Sequence, residues 1–205
     1  FLIDHVMQYI EMAEKNQSKL IPGIFEIPGM SGVKTRHFLN NLCSLADASY
    51  LEIGTWKGST FISALYQNSL REATAMDNWS EFGGPEKDFW QHVQTYIASQ
   101  KFNFYAVNCF DFNKGLLENP ILIYFYDGFH HHDTQKKAFL YYNNIFADTF
   151  IAVVDDWNWG FVREGTFAAF KHLGYKILFQ KEIFTGGNGD PQTWWNGIYI
   201  AVIRK

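Results

Sequence analysis

The spacing of apolar positions changes along the chain. Residues 1–15 place Leu2, Val6, Tyr9, Ile10 and Ala13 at helical intervals, and residues 33–46 repeat the pattern. The stretch between them holds Pro22, Gly23, Pro28, Gly29 and Gly32, which favour turns. Two helices are therefore expected ahead of the first strand. From residue 50 the pattern becomes short apolar runs: YLEI (50–53), ATAMD (73–77), FNFYAVN (102–108), ILIYFYD (121–127) and FIAVVDD (150–156). The last two are apolar at every step, as strands covered on both faces of a parallel sheet must be.

Helical stretches at 58–70, 85–99, 133–147 and 162–172 separate these runs. Alternation of this kind predicts an α/β fold, a Rossmann-like doubly wound sheet. The end of the chain departs from it. YKILFQKEI (175–183) and GIYIAVIRK (197–205) are joined by TGGNGDPQTWWN, which has no helical period, so a hairpin is expected and the last of seven strands runs antiparallel. No repeat or change of composition divides residues 1–205, which read as a single domain with the helices of 1–46 as a cap.

A length of 205 residues fits one domain with a substantial core. Lys plus Arg total 17 against 21 Asp plus Glu, and a net charge of -4 offers no clamp for a nucleic-acid backbone. No apolar run approaches the ~18 residues of a membrane span, and Asp4, Glu11 and Glu14 break a signal-peptide pattern. Cys43 and Cys109 form no C-x-x-C, zinc or disulfide pattern, so a reducing, cytoplasmic setting is expected, with neither nucleic acid nor membrane as partner. The aromatic share, 19%, is high and calls for a structural reason.

Ligands of doubly wound sheets bind beyond the carboxyl ends of the strands. After the first run stands LEIGTWKGST, an E-x-G-x-x-x-G turn built on Glu52, Gly54 and Gly58. A dinucleotide fingerprint needs glycine where Trp56 stands, because the backbone must touch a pyrophosphate there, and no Walker loop is present. What remains is a turn that admits a ligand without a pyrophosphate, with a carboxylate suited either to an ammonium group or to orienting the loop. A purely structural strand-to-helix turn has the same pattern, and Asp77 alone fits a helix cap as well as a ligand contact.

This turn resembles that of class I S-adenosylmethionine-dependent methyltransferases, and the resemblance runs over nearly the whole chain. It implies that Glu52, Gly54, Thr55, Trp56 and Gly58 cradle the amino-acid part of the cofactor and that Asp77, ending the second strand, holds its ribose hydroxyls. It further implies that Asn78 or Trp79 lies against the adenine, that Asn108 to Asp111 border it, and that Met30 to Gly32, with Ser31, close over the methionine end.

A second constellation follows the fourth and fifth strands: Asp127 in DGFHHH, and Asp155 with Asp156 in VVDDWNW. On neighbouring strands ~4.8 Å apart these carboxylates converge, and their repulsion calls for a cation. Mg²⁺ suits all-oxygen ligands, with Mn²⁺ or Ca²⁺ as substitutes, while His130 to His132 keep zinc in view. Asp155 or Asp156 singly also fits a helix cap or turn. The arrangement resembles metal-dependent O-methyltransferases of the catechol and macrolide-sugar types. That resemblance implies Mg²⁺ on Asp127, Asp155 and Asp156, Asp127 bordering the cofactor as well, and His130 as catalytic base.

The expected chemistry is methyl transfer to a hydroxyl of a small-molecule acceptor, a sugar or a phenol or catechol. His131, Trp157, Trp194 and Trp195 are the expected acceptor contacts, within a rim of aromatic residues that includes Trp56, Trp79, Phe129 and Trp159. Two other readings are a non-catalytic ligand-binding protein of the same fold, and a metal-dependent hydrolase or hydroxylase that needs no S-adenosylmethionine. The first helix and the 20–32 loop are apolar enough to cover either their own core or a second copy in a homo-oligomer.

Overall fold

Strand and helix alternate as expected in the computed structural model, which describes residues 1–205. The strands are β1 (Ser49–Ile53), β2 (Glu72–Met76), β3 (Asn103–Tyr105), β4 (Ile121–Tyr126), β5 (Phe146–Asp155), β6 (Lys176–Ile183) and β7 (Ile198–Arg204). They form one sheet in the order β3-β2-β1-β4-β5-β7-β6. β1 pairs in parallel with both β2 and β4, and β7 runs antiparallel to β5 and β6. Strand order reverses between β1 and β4, so the crevice at their carboxyl ends is where a ligand of this fold belongs.

Helices cover both faces. α1 (Leu2–Glu14), α3 (Val33–Leu42), α4 (Ser59–Leu65) and α5 (Glu86–Tyr96) pack on one side, and α6 (His132–Tyr142) and α7 (Gly160–Leu173) on the other. β4 feeds both cores: Ile123 and Phe125 join the first, Tyr124 and Tyr126 the second. That alternation is why its sequence is apolar at every position. α1 buries Val6, Ile10 and Ala13 in the chain's own core. No helix is long and apolar enough to cross a membrane.

Some boundaries differ from the sequence expectation, each for a local reason. A short helix, α2 (Pro22–Phe25), forms inside the Pro/Gly stretch, with Pro22 at the first helical position where its missing N–H costs nothing. α6 stops at Tyr142, and β5 begins at Phe146, where Phe146 and Phe150 stack at 4.4 Å against the second core. The third apolar run shortens to three paired residues because β3 is an edge strand with β2 as its one neighbour.

Candidate active site

The sheet ladder runs one step past β1 into the glycine turn. Gly54 N–H donates to Met76 O, and Asp127 N–H to Ile53 O, each at 2.9 Å. Gly54 has φ +88°, and a Cβ there would overlap the Asp127 carbonyl oxygen. The position thus demands glycine twice, by conformation and by space. The contact also places the turn directly on the exit of β4.

Asp77 clamps this turn. Its Oδ2 accepts the N–H groups of Thr55 (2.9 Å) and Trp56 (2.7 Å), and its Oδ1 accepts Trp79 N–H at 2.7 Å. A carboxylate has about four acceptor positions, so one is left for a ligand hydroxyl. Trp79 donates its indole N–H to Trp56 O at 2.9 Å and stacks on Phe104 at 5.0 Å. Exposed Asn78 and Asn108 accept from Ser80 and Phe110 in local turns. Buried Thr55 Oγ1 has no partner, a polar atom left for something that binds.

Glu52 has both oxygens engaged inside the protein, one by Tyr50 O–H and the other by Thr60 O–H at 2.6 Å. Of the two roles open to it in the sequence, the structure has it orienting the loop: it ties β1 to the first turn of α4. Burial pushes its carboxyl up to about 8, against the hydrogen bonds of Thr60 and Tyr50. The folded state therefore binds a proton that the unfolded chain releases above its own, lower value. Stability should fall by about 1.4 kcal/mol per pH unit between the unfolded carboxyl value and about 8. Glu52→Gln should flatten this slope, as melting temperatures from pH 5 to 8 will reveal; parallel curves for the two proteins would refute the assignment.

Ser31 is buried, and its Oγ lies 3.3 Å from Ser59 Oγ and accepts Arg36 Nε at 3.0 Å. The segment before α3 therefore rests on the first residue of α4, just past Gly58.

The acidic cluster differs from the sequence expectation. His130 Nε2 lies 3.0 Å from Asp156 Oδ2 and 3.3 Å from Asp127 Oδ1, and the ligating atoms of Asp127, His130 and Asp156 fall within 4.8 Å of one another. Asp155, also expected in this group, stands at its edge: its carboxyl interacts with that of Asp127 but lies outside the three whose ligating atoms meet. Asp156 follows it with a left-handed φ of +58°. Asp155 is buried, one of its oxygens has no partner, and burial and the Asp127 and Asp156 charges push its carboxyl well up, favouring the neutral form.

His130 thus supplies the cation that the converging carboxylates require. Burial alone would lower its pKa, but the hydrogen bonds and charges of Asp127 and Asp156 raise it to about 10. The imidazole is therefore held as a cation at neutral pH rather than as the free base that the resemblance implies. Its Nδ1 is buried without a partner. His131 and His132 are exposed, His131 stacking on Phe129 at 4.5 Å and His132 bonding Asp133 at 2.8 Å.

The aromatic rim also needs correction. Trp157 is fully buried, stacks on Tyr199 at 4.3 Å and donates to Glu182 at 2.8 Å. Trp194 is buried against Phe38 and donates to Glu14 at 2.7 Å. Neither is an acceptor contact; each fills core volume with its N–H satisfied by a distant carboxylate. Trp195 is half-buried. A different series leads outward from His130: Trp159, then Phe161, His131 and Phe129, with successive ring centroids 4.5 to 6.3 Å apart.

The β6–β7 connection carries a residue that the sequence did not single out. Asn196 donates to Asp156 Oδ1 at 2.6 Å and accepts Gly189 N–H at 2.8 Å, while Val33 N–H donates to Pro191 O at 2.8 Å. The loop therefore joins the acidic cluster to the start of α3. The Asn196-Gly197 pair, with Gly197 at φ +81°, was the legible signal, since Asn-Gly marks turns. A cleft of about 450 Å³ lies behind this loop, lined by Glu14, Lys34, Phe184 and Asp190 among others, and touches neither the glycine turn nor the cluster.

This sheet order, with its antiparallel β7, is the class I methyltransferase fold. Solved structures of that fold align over most or all of the chain. The O-methyltransferase of Bacillus cereus in complex with S-adenosylhomocysteine superposes with a TM-score of 0.62 at 12% identity, covering 99% of this chain and 90% of that one. The O-methyltransferase TomG of Streptomyces achromogenes, involved in tomaymycin synthesis and bound to S-adenosylmethionine, gives 0.61 at 13% identity, covering 97% and 90%. No protein-family profile and no curated protein sequence matches the chain.

Proposed function

We propose that the protein transfers the sulfonium methyl group of S-adenosylmethionine to a hydroxyl oxygen of a small molecule. The observation that carries this reading is the contact of Gly54 with the Asp127 carbonyl, which brings the Asp77-clamped turn and the His130 cluster to one wall. Cofactor and acceptor would then meet across β1 and β4. The turn and Ser31 hold the amino-acid end, and the remaining acceptor position of Asp77 takes a ribose hydroxyl. In the displacement an O–C bond forms as the C–S bond breaks, the cofactor leaves as a neutral thioether, and the acceptor's proton passes to the Asp127–His130–Asp156 unit, which titrates as a whole.

A divalent cation fits this donor set, two carboxylate oxygens and an imidazole nitrogen, with the unpartnered oxygen of Asp155 close by. Asp127, Asp156 and a neutral His130 would hold it. Such an ion supplies Lewis acidity to an acceptor oxygen. The net charge of -4 favours a small acceptor over a nucleic acid, and the series of rings from half-buried Trp159 to exposed Phe129 favours a flat or sugar-like one. Both cysteines are unpaired, in keeping with a reducing cytoplasmic setting.

The test is transfer of a labelled methyl group to a panel of phenols, catechols and sugars, with Mg²⁺ and with EDTA. Labelled product is the expected result, and product unaffected by EDTA would remove the metal from the account. Binding of S-adenosylhomocysteine without transfer to any hydroxyl compound would favour the ligand-binding reading. Asp77→Ala, which frees three backbone N–H groups, should weaken that binding about tenfold or more, measured by calorimetry.

A further inference from the structure

Arg36 is a buried cation without an anion. It is 5% exposed, yet no carboxylate of the chain forms an ion pair with it. Buried arginine is normally paired, because an isolated charge is costly to remove from water. Here Nε donates to Ser31 Oγ, and Nη1 to Ile27 O at 3.0 Å and more distantly to Ile24 O. Burial lowers its pKa to about 10, still protonated at neutral pH. One nitrogen is left over. Nη2 makes no hydrogen bond, and it borders Gly29: a Cβ built there would lie 2.7 Å from Nη2 and would overlap Ser59 Oγ. Nη2 therefore lies close to Ser59, the residue that follows Gly58 of the glycine turn.

We infer that Arg36 is a binding residue for a carboxylate, the one on the amino-acid end of the cofactor. The inference rests on the reading of the glycine turn as the S-adenosylmethionine site. Neutral carbonyls and a serine hydroxyl hold the guanidinium in place without cancelling its charge, so the full positive charge is kept for a ligand. A carboxylate is the matching chemistry, since a guanidinium fork binds it with charge-assisted hydrogen bonds. Gly29 is small because this loop must pass between Arg36 and Ser59, and a side chain would fill the space that Nη2 faces.

The experiment compares calorimetric affinities for S-adenosylhomocysteine and for its decarboxylated analogue, which keeps adenosine, sulfur and ammonium. The wild-type protein should prefer the carboxylate-bearing ligand by about ten- to a hundredfold. Arg36→Gln should shrink the preference to within about twofold while leaving affinity for the decarboxylated ligand in place, which also reports that the variant is folded. Arg36→Lys, which keeps the charge but not the fork, should retain part of the preference. Equal affinities in the wild type would overturn the inference while leaving the cofactor site intact, and so would a preference that survives in Arg36→Gln. Failure of the wild type to bind either ligand would overturn the cofactor reading, and this inference with it.

Discussion

Gly54→Ala is expected to lower the melting temperature by about 6–12 °C, equivalent to about 3 kcal/mol or more in a chain of this size. Two effects add. An L-residue in the left-handed region costs about 1–2 kcal/mol, and Gly54 sits at φ +88°. The new methyl group also meets the Asp127 carbonyl, a backbone atom that cannot rotate away, so the turns after β1 and β4 must separate; forced repacking of this kind costs about 1–3 kcal/mol. Thermal unfolding measures the fall, and binding of S-adenosylhomocysteine should be lost as the turn is displaced. Gly186→Ala is the control, because its Cβ would meet open space and its φ is ordinary; a change within about 0.5 kcal/mol is expected there. Equal melting temperatures for Gly54→Ala and wild type would refute the contact.

His130→Ala should act on both stability and turnover. Removing one partner of a buried ion pair costs about 3–5 kcal/mol, and here it leaves Asp127 and Asp156 without their counter-ion. The sign with pH follows from the raised pKa. Because His130 is pushed up to about 10, its contribution is complete below the ordinary imidazole value and disappears as pH rises through about 10. In the variant the crowded carboxylates should hold protons more tightly than in the unfolded chain, so its stability should fall as pH rises from acid to neutral. The gap in melting temperature between variant and wild type is thus expected to be wider at pH 7 than at pH 5. A gap independent of pH would mean that His130 is not the counter-ion. Methyl transfer should fall by about 10²- to 10⁴-fold.

What the sequence made legible was chiefly what depends on period and order. Alternating strand and helix placed the first six strands, and the aperiodic TGGNGDPQTWWN segment placed the antiparallel seventh. The glycine turn and Asp77 were legible because each needs a particular residue at a particular strand end. The cluster was half legible. Asp127, His130 and Asp156 do converge, but how closely each member of the Asp-Asp pair approaches its neighbours depends on local backbone angles, such as the φ of +58° at Asp156, that no pattern in the sequence encodes. Trp157 and Trp194 follow or precede strands as rim residues would, yet their indole N–H groups are met by Glu182 and Glu14 from remote segments, which lets both rings enter the core. Arg36 lies on a helix whose polar side chains face inward, so an amphipathic reading leaves it on the surface.

All of the chemistry proposed here depends on S-adenosylmethionine binding at the Asp77-clamped turn. Calorimetric titration of the wild-type protein with S-adenosylhomocysteine tests it most directly. Saturable binding at one site per chain is expected, weakened by Asp77→Ala and untouched by Gly186→Ala. Absence of any heat of binding by a folded wild-type protein, or undiminished affinity in Asp77→Ala, would contradict it.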